Sequence, residues 1–492
     1  MAESIQPGPR ARVRTEPLEG DIDPAAVLEA MRARRCPAAL ESSQKHQPLG
    51  RFSLYACEPT ATLTVRDGQL LRDADKWLAD APDHPDETFW DALEGAIAPV
   101  AEASAQAPYA PGWIGFVGYE IGRRVERLPG RARRDTALPD LHLAMYPALL
   151  VRDHAEGSWS LTWLDYDDPP SGTAEAIAAM RAIWDDARSR PAANGGSADD
   201  TPAARTLGEY RPDVSREAYL RAVERCLDYI AAGDIFQVNL SHRIILPDAP
   251  APLELYRRLR RRNPSTYGAW LEFPSAGEPC AIVSASPELF LRVRGGEVIT
   301  RPIKGTRPRT GDESADRAAR DDLVVSAKDN AELAMIVDLL RNDLGRVCTY
   351  GSVRVRSRAE LETHPTVYHL VATVDGRLRE GVGAAALLRA TFPGGSITGA
   401  PKVRAMEIID ELEPTARGPY TGSIGIVGAD GRAEWNITIR TVVYAGRQAS
   451  LQVGGGIVAD STPEAEYNET LDKARALLEA VASANPTACP ER

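Results

Sequence analysis

The alternation of apolar and polar positions predicts two kinds of element in the second half of the chain. In residues 215–233 apolar side chains recur at helical spacing, with Ser215 placed to cap the start and Gly233 to end the helix. Short apolar, β-branched runs then follow one another, mostly with no helical pattern between neighbours. In one-letter code they read AIVSAS, LFLRV, EVITRPI, SVRV, TVYHLVATV, GSIGIVG, ITIRTVVY and LQVGGGIV. Because parallel strands need long crossover connections, this order favours antiparallel or mixed sheets.

Three longer helical patterns interrupt these strands, near residues 316–343, 401–412 and 462–482. Runs of strands punctuated by a few helices, rather than strictly alternating with them, are typical of the α+β class. The sequence therefore predicts large antiparallel or mixed β-sheets with flanking helices.

Some stretches carry no apolar period. Residues 189–210, SRPAANGGSADDTPAARTLGEY, are rich in Ala, Gly, Ser, Asp and Pro, and such a composition buries too little surface to order itself. We predict a linker or surface insertion there and disordered termini at 1–17 and 483–492. The linker then separates an N-terminal lobe, 18–188, from a second region, 211–482.

Charge and composition exclude several classes of protein. The chain has 492 residues, with 58 basic and 70 acidic side chains and a net charge of -12, whereas nucleic-acid binders usually show a basic excess. No apolar run reaches the roughly eighteen residues of a membrane span, and the first residues lack the apolar core of a secretory signal. We expect a cytoplasmic protein with no nucleic-acid or membrane partner. The six cysteines have no zinc-site spacing, so we expect free thiols.

Two carboxylate pairs are candidates for a metal site. Asp329 and Glu332 are three residues apart in one helical pattern, and Glu466 and Glu469 are three apart in another. Each pair shares a helical face, and Lys473 continues the second face. Two such faces brought together would offer the oxygen ligands that Mg²⁺ prefers. Most pairs with this spacing lie on solvent-exposed helix faces, so spacing alone does not establish a metal site and that alternative stays open.

Two glycine clusters could bring backbone N–H groups close to an anion. One is FPGGSITGAPK, and the other is Gly454-Gly455-Gly456. The first is not a nucleotide-binding loop of the Walker type, because Ala400 stands where that loop requires lysine. An ordinary turn is the alternative for each cluster.

Lys304, in PIKGTRPR, is a candidate nucleophile. An unperturbed lysine is only about 0.04% neutral at pH 7. Burial or neighbouring cations lower a lysine pKa, and the neutral amine then attacks carbon, which arginine cannot do. A surface charge is the alternative for a single lysine.

These segments together, in this order, resemble the chorismate-utilising enzyme family. The likeness covers about 209–480. It rests on the motifs GDIFQVNLSHR, SASPELFL, PIKGTRPR, KDNAELAMIVDLLRNDLGRV, HPTVYHLVATV, FPGGSITGAPK, RGPYTGSIG, TIRTVVY and GGGIVADSTPEAEYNETLDKA. The resemblance implies a fold of two large antiparallel sheets with flanking helices, chorismate as substrate and Mg²⁺ as cofactor.

The resemblance also implies roles for the carboxylates and their neighbours. Glu332 and Glu469 match the family's magnesium ligands, and Asp329 and Glu466 match the carboxylates behind them. Asp329 stands where many relatives have glutamate, so whether it binds the metal directly stays open. The expected contacts to the ring carboxylate and the rest of the substrate are Lys473, Gly454, Gly455, Gly456, Thr398 and Thr306.

The reacting groups follow by the same resemblance. Tyr420 and Arg440 match the pair that holds the enolpyruvyl carboxylate, and Glu288 matches the general acid that protonates the departing C4 hydroxyl. Lys304 would attack C2 of the ring, and ammonia would then add at C4 and expel the lysine. His369 falls at an active-site histidine of the family, with a supporting role; a histidine satisfied in the core is the alternative.

Two positions sort the members of the family. Isochorismate and salicylate synthases carry a water-activating lysine where this chain has Gln237, and anthranilate synthases carry alanine where it has Lys304. The PIKGT form resembles the aminodeoxychorismate synthase component I branch, which serves 4-aminobenzoate and folate synthesis. Anthranilate synthase component I and 2-amino-2-deoxyisochorismate synthase are the alternatives.

Ammonia needs a source, and none of the cysteines has the setting of a glutaminase nucleophile. The resemblance therefore implies a separate glutamine amidotransferase subunit as a partner. In the N-terminal lobe, LESSQ at 40–44 and the segment 50–63 resemble a region that binds tryptophan in relatives. Packed strands with an ordinary loop are the alternative there.

Overall fold

A computed structural model of the chain describes residues 10–43, 50–73, 76–190, 210–364 and 367–482. The helices are α1 (Pro24–Met31), α2 (Glu87–Ile97), α3 (Thr173–Ser189), α4 (Arg216–Ala231), α5 (Pro252–Arg262), α6 (Glu313–Val325), α7 (Ala327–Gly345), α8 (Ala384–Thr391), α9 (Lys402–Leu412) and α10 (Pro463–Ala482). The strands are β1 (Ala11–Leu18), β2 (Ala38–Glu41), β3 (Phe52–Ala56), β4 (Ala61–Arg66), β5 (Gln69–Arg72), β6 (Lys76–Asp80), β7 (Gly112–Val117), β8 (Leu141–Tyr146), β9 (Ala148–Asp153), β10 (Ser158–Tyr166), β11 (Arg211–Pro212), β12 (Gln237–Leu246), β13 (Tyr267–Ser275), β14 (Glu278–Ser286), β15 (Leu289–Arg294), β16 (Glu297–Arg301), β17 (Ile303–Pro308), β18 (Arg354–Thr363), β19 (Val367–Arg377), β20 (Gly399–Ala400), β21 (Ser423–Gly428), β22 (Ala433–Asn436), β23 (Thr441–Ala445) and β24 (Gln448–Ile457).

The strands form two large sheets, which confirms the predicted fold class. The first has the order β1-β10-β9-β3-β2-β13-β14-β23-β24-β12-β11, with β20 also paired to β12. The second has the order β17-β19-β16-β15-β22-β21-β7-β8-β4-β5-β6, with β18 also paired to β19. Neighbouring strands pair antiparallel, as β12 does with β24 and β17 with β19.

The two sheets pack face to face and carry helices on their outer faces. Phe116 of the second sheet contacts Phe273 of the first, with ring centroids 5.6 Å apart, in an apolar cluster drawn from both sheets. On the outer face of the first sheet, α1, α3, α5 and α10 contribute to a second cluster. On the outer face of the second sheet, α2, α7 and α8 do the same. None of the helices in the described ranges is long and apolar enough to cross a membrane.

The predicted division into two lobes is not a division between sheets. Strand β2 pairs with β13, and β7 pairs with β21, so each sheet joins a block of N-terminal strands to a block of strands from 211–482. Because each half leaves a strand edge in both sheets that the other half covers, the N-terminal part and residues 211–482 form continuous sheets. The described cysteines, Cys36, Cys57, Cys226, Cys280 and Cys348, are free, as predicted.

The prediction of a disordered N-terminus over 1–17 is wrong for residues 11–17. They belong to β1, which pairs with β10 from Ala11 opposite Tyr166 to Leu18 opposite Trp159. Its arginines and glutamate alternate with inward positions, a period of two that the high charge of this stretch conceals. Residues 1–9, most of the predicted linker (191–209) and the C-terminal stretch 483–492 lie outside the described residues.

The predicted helices are present in the structure, except that one of them is two separate helices. Ser215 caps α4 by accepting a hydrogen bond from the Ala218 amide at 3.2 Å. The pattern predicted near 316–343 is two helices, α6 and α7, because Ser326 ends the first and caps the second through a 3.2 Å bond from the Asp329 amide. The break turns the start of α7 toward β17, where the candidate lysine lies.

Candidate active site

The predicted site residues converge on two adjoining spaces. A cavity of about 790 Å³ opens between α7, α10 and β17, and a smaller pocket of about 150 Å³ adjoins it. The residues that line both are Asn239, Lys304, Thr306, Arg440 and Lys473. Of the predicted site residues, only Thr398 and Gly455 line neither space.

Lys304 reaches this junction because of a bulge in β17. The register against β19 shifts between Lys304, opposite Leu370, and Thr306, opposite His369. Gly305 lies between them with a φ of +74°, and a Cβ there would stand 2.7 Å from a Leu323 methyl carbon. Only glycine adopts this conformation without strain and tolerates so close an approach. The glycine after Lys304 is therefore a structural requirement of the bulge.

The Lys304 amine has no hydrogen-bond or ion-pair partner among the described residues. It is half-buried, and burial lowers the pKa of its ammonium from the ordinary 10.5. The carboxylates of Glu332 and Glu288 oppose that lowering, and the Lys473 ammonium adds to it. Because burial dominates, the neutral nucleophilic amine is more populated than in an exposed lysine.

Glu288 is buried beside this lysine and is suited to donate a proton. Its side chain accepts a 2.7 Å hydrogen bond from Ser396 Oγ. Burial raises the pKa of Glu288 to about 7, against the opposing effects of the Ser396 hydrogen bond and the positive charges of Lys304 and Arg440. A carboxyl group with such a pKa carries its proton in a substantial fraction of molecules at neutral pH.

His369 borders the smaller pocket as a neutral imidazole. Its Nδ1 lies 2.9 Å from Thr306 Oγ1, and burial, with Arg440 and His364 nearby, lowers its pKa to about 3. A group with this pKa does not supply a proton as an imidazolium at neutral pH. Its position in the pocket wall fits the predicted supporting role, which stays a prediction.

Tyr420 and Arg440 line the same smaller pocket. Arg440 has a left-handed backbone, with a φ of +52° that is uncommon for any residue but glycine. Among the described residues its guanidinium has no hydrogen-bond acceptor, and burial lowers its pKa against the opposing charge of Glu288. A guanidinium without a protein acceptor in a pocket is suited to bind an anion bidentately.

The four predicted carboxylates all border the larger cavity but differ in their contacts. Asp329 Oδ2 forms an ion pair with Arg307 Nη2 at 3.1 Å, which ties α7 to β17. Glu332 Oε2 accepts a long, 3.4 Å hydrogen bond from the Gln237 amide. These contacts favour a structural role for Asp329 over direct metal binding. Glu332, by contrast, makes a single long hydrogen bond among the described residues, so its oxygens are available to a metal ion.

The second helix presents the other pair. Glu466 Oε1 accepts a bond from Ser461 Oγ at 2.5 Å, while its buried Oε2 has no partner among the described residues. Glu469 Oε1 pairs with Lys473 Nζ at 2.7 Å, and Lys473 also donates to the Gly454 carbonyl at 3.0 Å. The Glu469–Lys473 pair is about half exposed, so it is readily exchanged.

These residues fit a magnesium ion by donor chemistry. In the described part of the chain, no three acidic, histidine or cysteine side chains form a ready-made metal centre. Mg²⁺, however, usually takes one or two protein carboxylates and completes its shell with water and substrate oxygens. A nearly free Glu332, an unpartnered Glu466 oxygen and an exchangeable Glu469 meet that requirement.

The second glycine cluster is not a turn. Gly454, Gly455 and Gly456 lie within β24, paired with β12. A Cβ at Gly455 would stand 3.0 Å from Glu466 Oε2, and one at Gly456 would stand 2.2 Å from Gln237 Nε2. Because these glycines have no side chains, polar side chains pack directly against the backbone of the strand. The Gly454 carbonyl accepts a hydrogen bond from Lys473.

Thr398 lies outside the pocket wall, so the prediction that it contacts substrate is not supported for its side chain. Its hydroxyl donates to the Gly394 carbonyl at 3.0 Å, and its own carbonyl accepts from the Asn239 amide at 2.8 Å. Thr398 therefore shapes the loop that carries Ser396.

Sequence reasoning missed Ser396, Asn239 and Gln452, all of which line the smaller pocket. Ser396 stands in the glycine-rich motif, and Asn239 is two residues from Gln237 on the same face of a strand. The strand period could have indicated Asn239. Nothing in the sequence indicated that the Ser396 hydroxyl meets Glu288.

Comparisons with known proteins agree with this geometry. The family described as chorismate binding enzyme matches residues 36–479, so the chain belongs to that family and is a chorismate-utilising enzyme. Among its relatives, anthranilate synthase component 1 1 from Haloarcula marismortui is 43% identical over 394 residues, 78% of each chain. Aminodeoxychorismate synthase component 1 from Klebsiella aerogenes is 41% identical over 431 residues, 87% of this chain and 90% of that one.

Solved structures give the same picture. Anthranilate synthase component I from Streptococcus pneumoniae superposes with a TM-score of 0.74 at 32% identity, over 88% of this chain and 93% of that one. The Escherichia coli menaquinone-specific isochorismate synthase MenF superposes with a TM-score of 0.70 at 18% identity, over 98% and 96%, a likeness in fold alone. Overall similarity confirms the family, and it does not separate the anthranilate and aminodeoxychorismate branches.

Proposed function

We propose that this chorismate-utilising enzyme is an aminodeoxychorismate synthase component I, which converts chorismate and ammonia to 4-amino-4-deoxychorismate. One observation carries the proposal: the unpartnered Lys304 amine lies in the same pocket as Glu288, a carboxyl group whose pKa is about 7. A substitution through a covalent lysine requires a neutral amine and a protonated acid in one pocket, and the lowered pKa of Lys304 and the raised pKa of Glu288 favour these two forms.

In this mechanism Glu288 gives its proton to the C4 hydroxyl, which leaves as water when the C4–O bond breaks. The lone pair of Lys304 forms a bond to C2 as the ring double bond shifts. Ammonia then forms a bond to C4, the double bond shifts back and the C2–lysine bond breaks. Lys304 leaves as the neutral amine directly from its ammonium adduct, and the extra proton of the new C4 ammonium passes to the Glu288 carboxylate. Dividing one difficult substitution into two is the general gain of covalent catalysis.

The substrate is a dianion, and the cavity supplies a cationic group for each end. Arg440, with Tyr420, would hold the enolpyruvyl carboxylate, and Lys473 with the backbone of β24 would hold the ring carboxylate. Glu332 and Glu469 would hold Mg²⁺, with Glu466 behind them, and the ion would neutralise the ring carboxylate. Thr306 would contact the substrate between the two ends, since it lines both spaces.

Addition of water in place of ammonia is disfavoured by Gln237. This amide donates to Glu332 and cannot serve as the base that activates water. Anthranilate synthase component I is the second candidate, because relatives with that name are as similar as those named aminodeoxychorismate synthase. In that case Lys304 would be a bystander.

The ammonia source and the tryptophan site are part of the proposal. A glutamine amidotransferase subunit would supply ammonia. Tryptophan would bind near 40–44 and 50–63; Gln44 and residues up to 49 lie outside the described residues, and a space of about 40 Å³ between the sheets is lined there by Glu41 and Phe52. Since Tyr55, Tyr256 and Arg260 already bond to Glu41, the walls would have to move to admit an indole.

Product identification tests the proposal. Purified protein would be incubated with chorismate, Mg²⁺ and ammonium, and the products would be separated by liquid chromatography with mass detection. We expect a species in which amino replaces hydroxyl on an intact enolpyruvyl ring, which an added lyase converts to 4-aminobenzoate. Fluorescent anthranilate with released pyruvate would refute it and establish the second candidate.

A further inference from the structure

Behind the smaller pocket, the Arg417 guanidinium is buried, with 1% of its side chain exposed, and it lines neither substrate space. All five of its N–H donors have acceptors. Its Nε and one Nη2 hydrogen bond to the two Glu413 oxygens at 2.8 and 2.7 Å. The other three reach the Ile397 carbonyl at 3.1 Å, Thr421 Oγ1 at 3.2 Å and the Asn239 carbonyl at 2.6 Å.

Each of those last three acceptors belongs to a different segment of the pocket wall. Asn239 and Ile397 line the pocket themselves, and Thr421 follows Tyr420, whose ring centroid is 5.7 Å from the Arg417 guanidinium carbon. One planar group therefore fixes β12, the loop after α8 and the turn before β21 relative to one another. Arginine suits this position because its donors point in fixed directions, which a lysine ammonium cannot reproduce.

Glu413 extends the same network to a fourth wall residue. Its Oε1 also accepts from the Ser241 amide and the Ser241 hydroxyl, both at 2.8 Å. Ser241 Oγ in turn accepts from Gln452 Nε2 at 2.9 Å, and Gln452 lines the pocket. Hydrogen bonds therefore connect the Arg417 guanidinium, through Glu413 and Ser241, to Gln452 in the pocket wall.

A buried ion pair is weak evidence for stability, because well-packed apolar residues often serve as well. In this protein the donors of the Arg417–Glu413 network connect to residues of the pocket wall. This indicates that the pair sets the geometry of that wall. We propose that the Arg417–Glu413 pair is a positioning unit that sets Tyr420 and its neighbouring wall segments for the enolpyruvyl carboxylate of the substrate. The inference rests on the proposed function, in which Tyr420 and Arg440 hold that carboxylate.

The test uses Arg417→Lys, which keeps the charge but leaves at least two of the five acceptors without a donor. Arg123→Lys is the matched control, since Arg123 forms a buried pair with Asp410 of α9 and neither residue lines the substrate spaces. Both variants should lose thermal stability. Only Arg417→Lys should raise the chorismate KM, on the order of tenfold or more, with kcat within about threefold of wild type, as expected when binding to a non-reacting group is lost.

A second ligand separates positioning from general damage. Its probe is the cyclohexadiene carboxylate that keeps the chorismate ring and ring carboxylate but lacks the enolpyruvyl group. Arg417→Lys should bind this probe as the wild type does, measured by calorimetry, while losing chorismate affinity. Equal losses for both ligands, or unchanged chorismate affinity, would overturn the proposal.

The test remains interpretable if the first variant does not fold and if the product is anthranilate. If Arg417→Lys does not fold, Glu413→Gln replaces it, because the amide keeps the shape and removes the charge; the same selective loss for chorismate is expected, and its absence refutes the positioning role. Production of anthranilate by the wild type would refute the proposed function but leave this comparison valid, since chorismate would still be the substrate whose two carboxylates are compared.

Discussion

The hydrogen bond from Ser396 to Glu288 makes a quantitative prediction. Ser396→Ala removes a side-chain donor that stabilises the ionised carboxylate, at 2.7 Å, while the burial that disfavours ionisation remains. Without that donor the pKa of Glu288 must rise. If Glu288 acts as the general acid, the variant retains its proton to higher pH, and the alkaline limb of activity moves upward.

The size of the shift follows from the strength of the bond. A hydrogen bond to a charged group contributes about 1.5–3 kcal/mol, and about 1.4 kcal/mol corresponds to one pKa unit. Water entering the vacated space would recover part of this. We expect the apparent pKa of Glu288 to move from about 7 to about 8.

The assay is the pH dependence of kcat/KM for chorismate, which reports groups of the free enzyme. Total ammonium is adjusted at each pH so that the concentration of neutral ammonia is constant. Ser284→Ala is the control, since Ser284 is a buried serine on β14 whose hydroxyl bonds to Thr441 rather than to the carboxylate. An alkaline limb that stays in place in Ser396→Ala, or that moves to lower pH, would refute the assignment of Glu288 as the acid.

Four further results are expected. Lys304→Ala should form no covalent adduct when chorismate is supplied without ammonia, whereas intact-mass spectra of the wild type should show one. Lys473→Met should tighten Mg²⁺ binding two- to fivefold in calorimetry without chorismate, since Lys473 competes for Glu469 in a half-exposed pair of about 0.2–1 kcal/mol; weaker binding would contradict this. Gly305→Ala, at a φ of +74° and against Leu323, should lower stability in denaturant titrations by more than about 1 kcal/mol and reduce activity at least tenfold. Glu288, whose pKa is raised from 4.5 to about 7, binds a proton in the folded state that the unfolded chain releases, so its contribution to stability falls by up to about 3 kcal/mol as pH rises through that window; Glu288→Gln should flatten the measured slope.

Much of the fold could be predicted because its elements have strong local patterns. The end-caps of α4 and the apolar strand runs carry their periods within a few residues. The strand β1 was missed because its charged residues alternate on an edge and the pairing with β10 lies some 150 residues away in sequence, as Ala11 opposite Tyr166 shows. The break at Ser326 was missed because the apolar period continues through it, and only the cap geometry separates the two helices.

The site residues likewise fall into those that local motifs indicate and those whose contacts depend on distant parts of the chain. Lys304 and Glu288 could be named because their motifs resemble those of a family, and the geometry places both in one pocket. The contacts of Arg417 with the Asn239 and Ile397 carbonyls could not be predicted, since no local pattern connects these residues. Long-range hydrogen bonds between loops depend on how the sheets pack, and one sequence does not contain that information in a periodic form.

The proximity of Lys304 and Glu288 raises the question of why they do not simply form an ion pair. The pair has the same net charge whether the proton is on the amine or on the carboxyl group. In water the ammonium and the carboxylate would predominate. Burial lowers the pKa of Lys304 and raises the pKa of Glu288, and both shifts favour the neutral forms.

A bound dianion would act on the two groups in opposite senses. Its negative charge would keep the proton on Glu288, which the proposed mechanism needs, but it would also favour the ammonium form of Lys304, which that mechanism cannot use. Arg440 and Lys473, which line both spaces beside Lys304, offset that second effect. The cations of the site therefore do more than attract the substrate: the Lys473 ammonium lowers the pKa of Lys304 and so opposes this effect of the bound dianion.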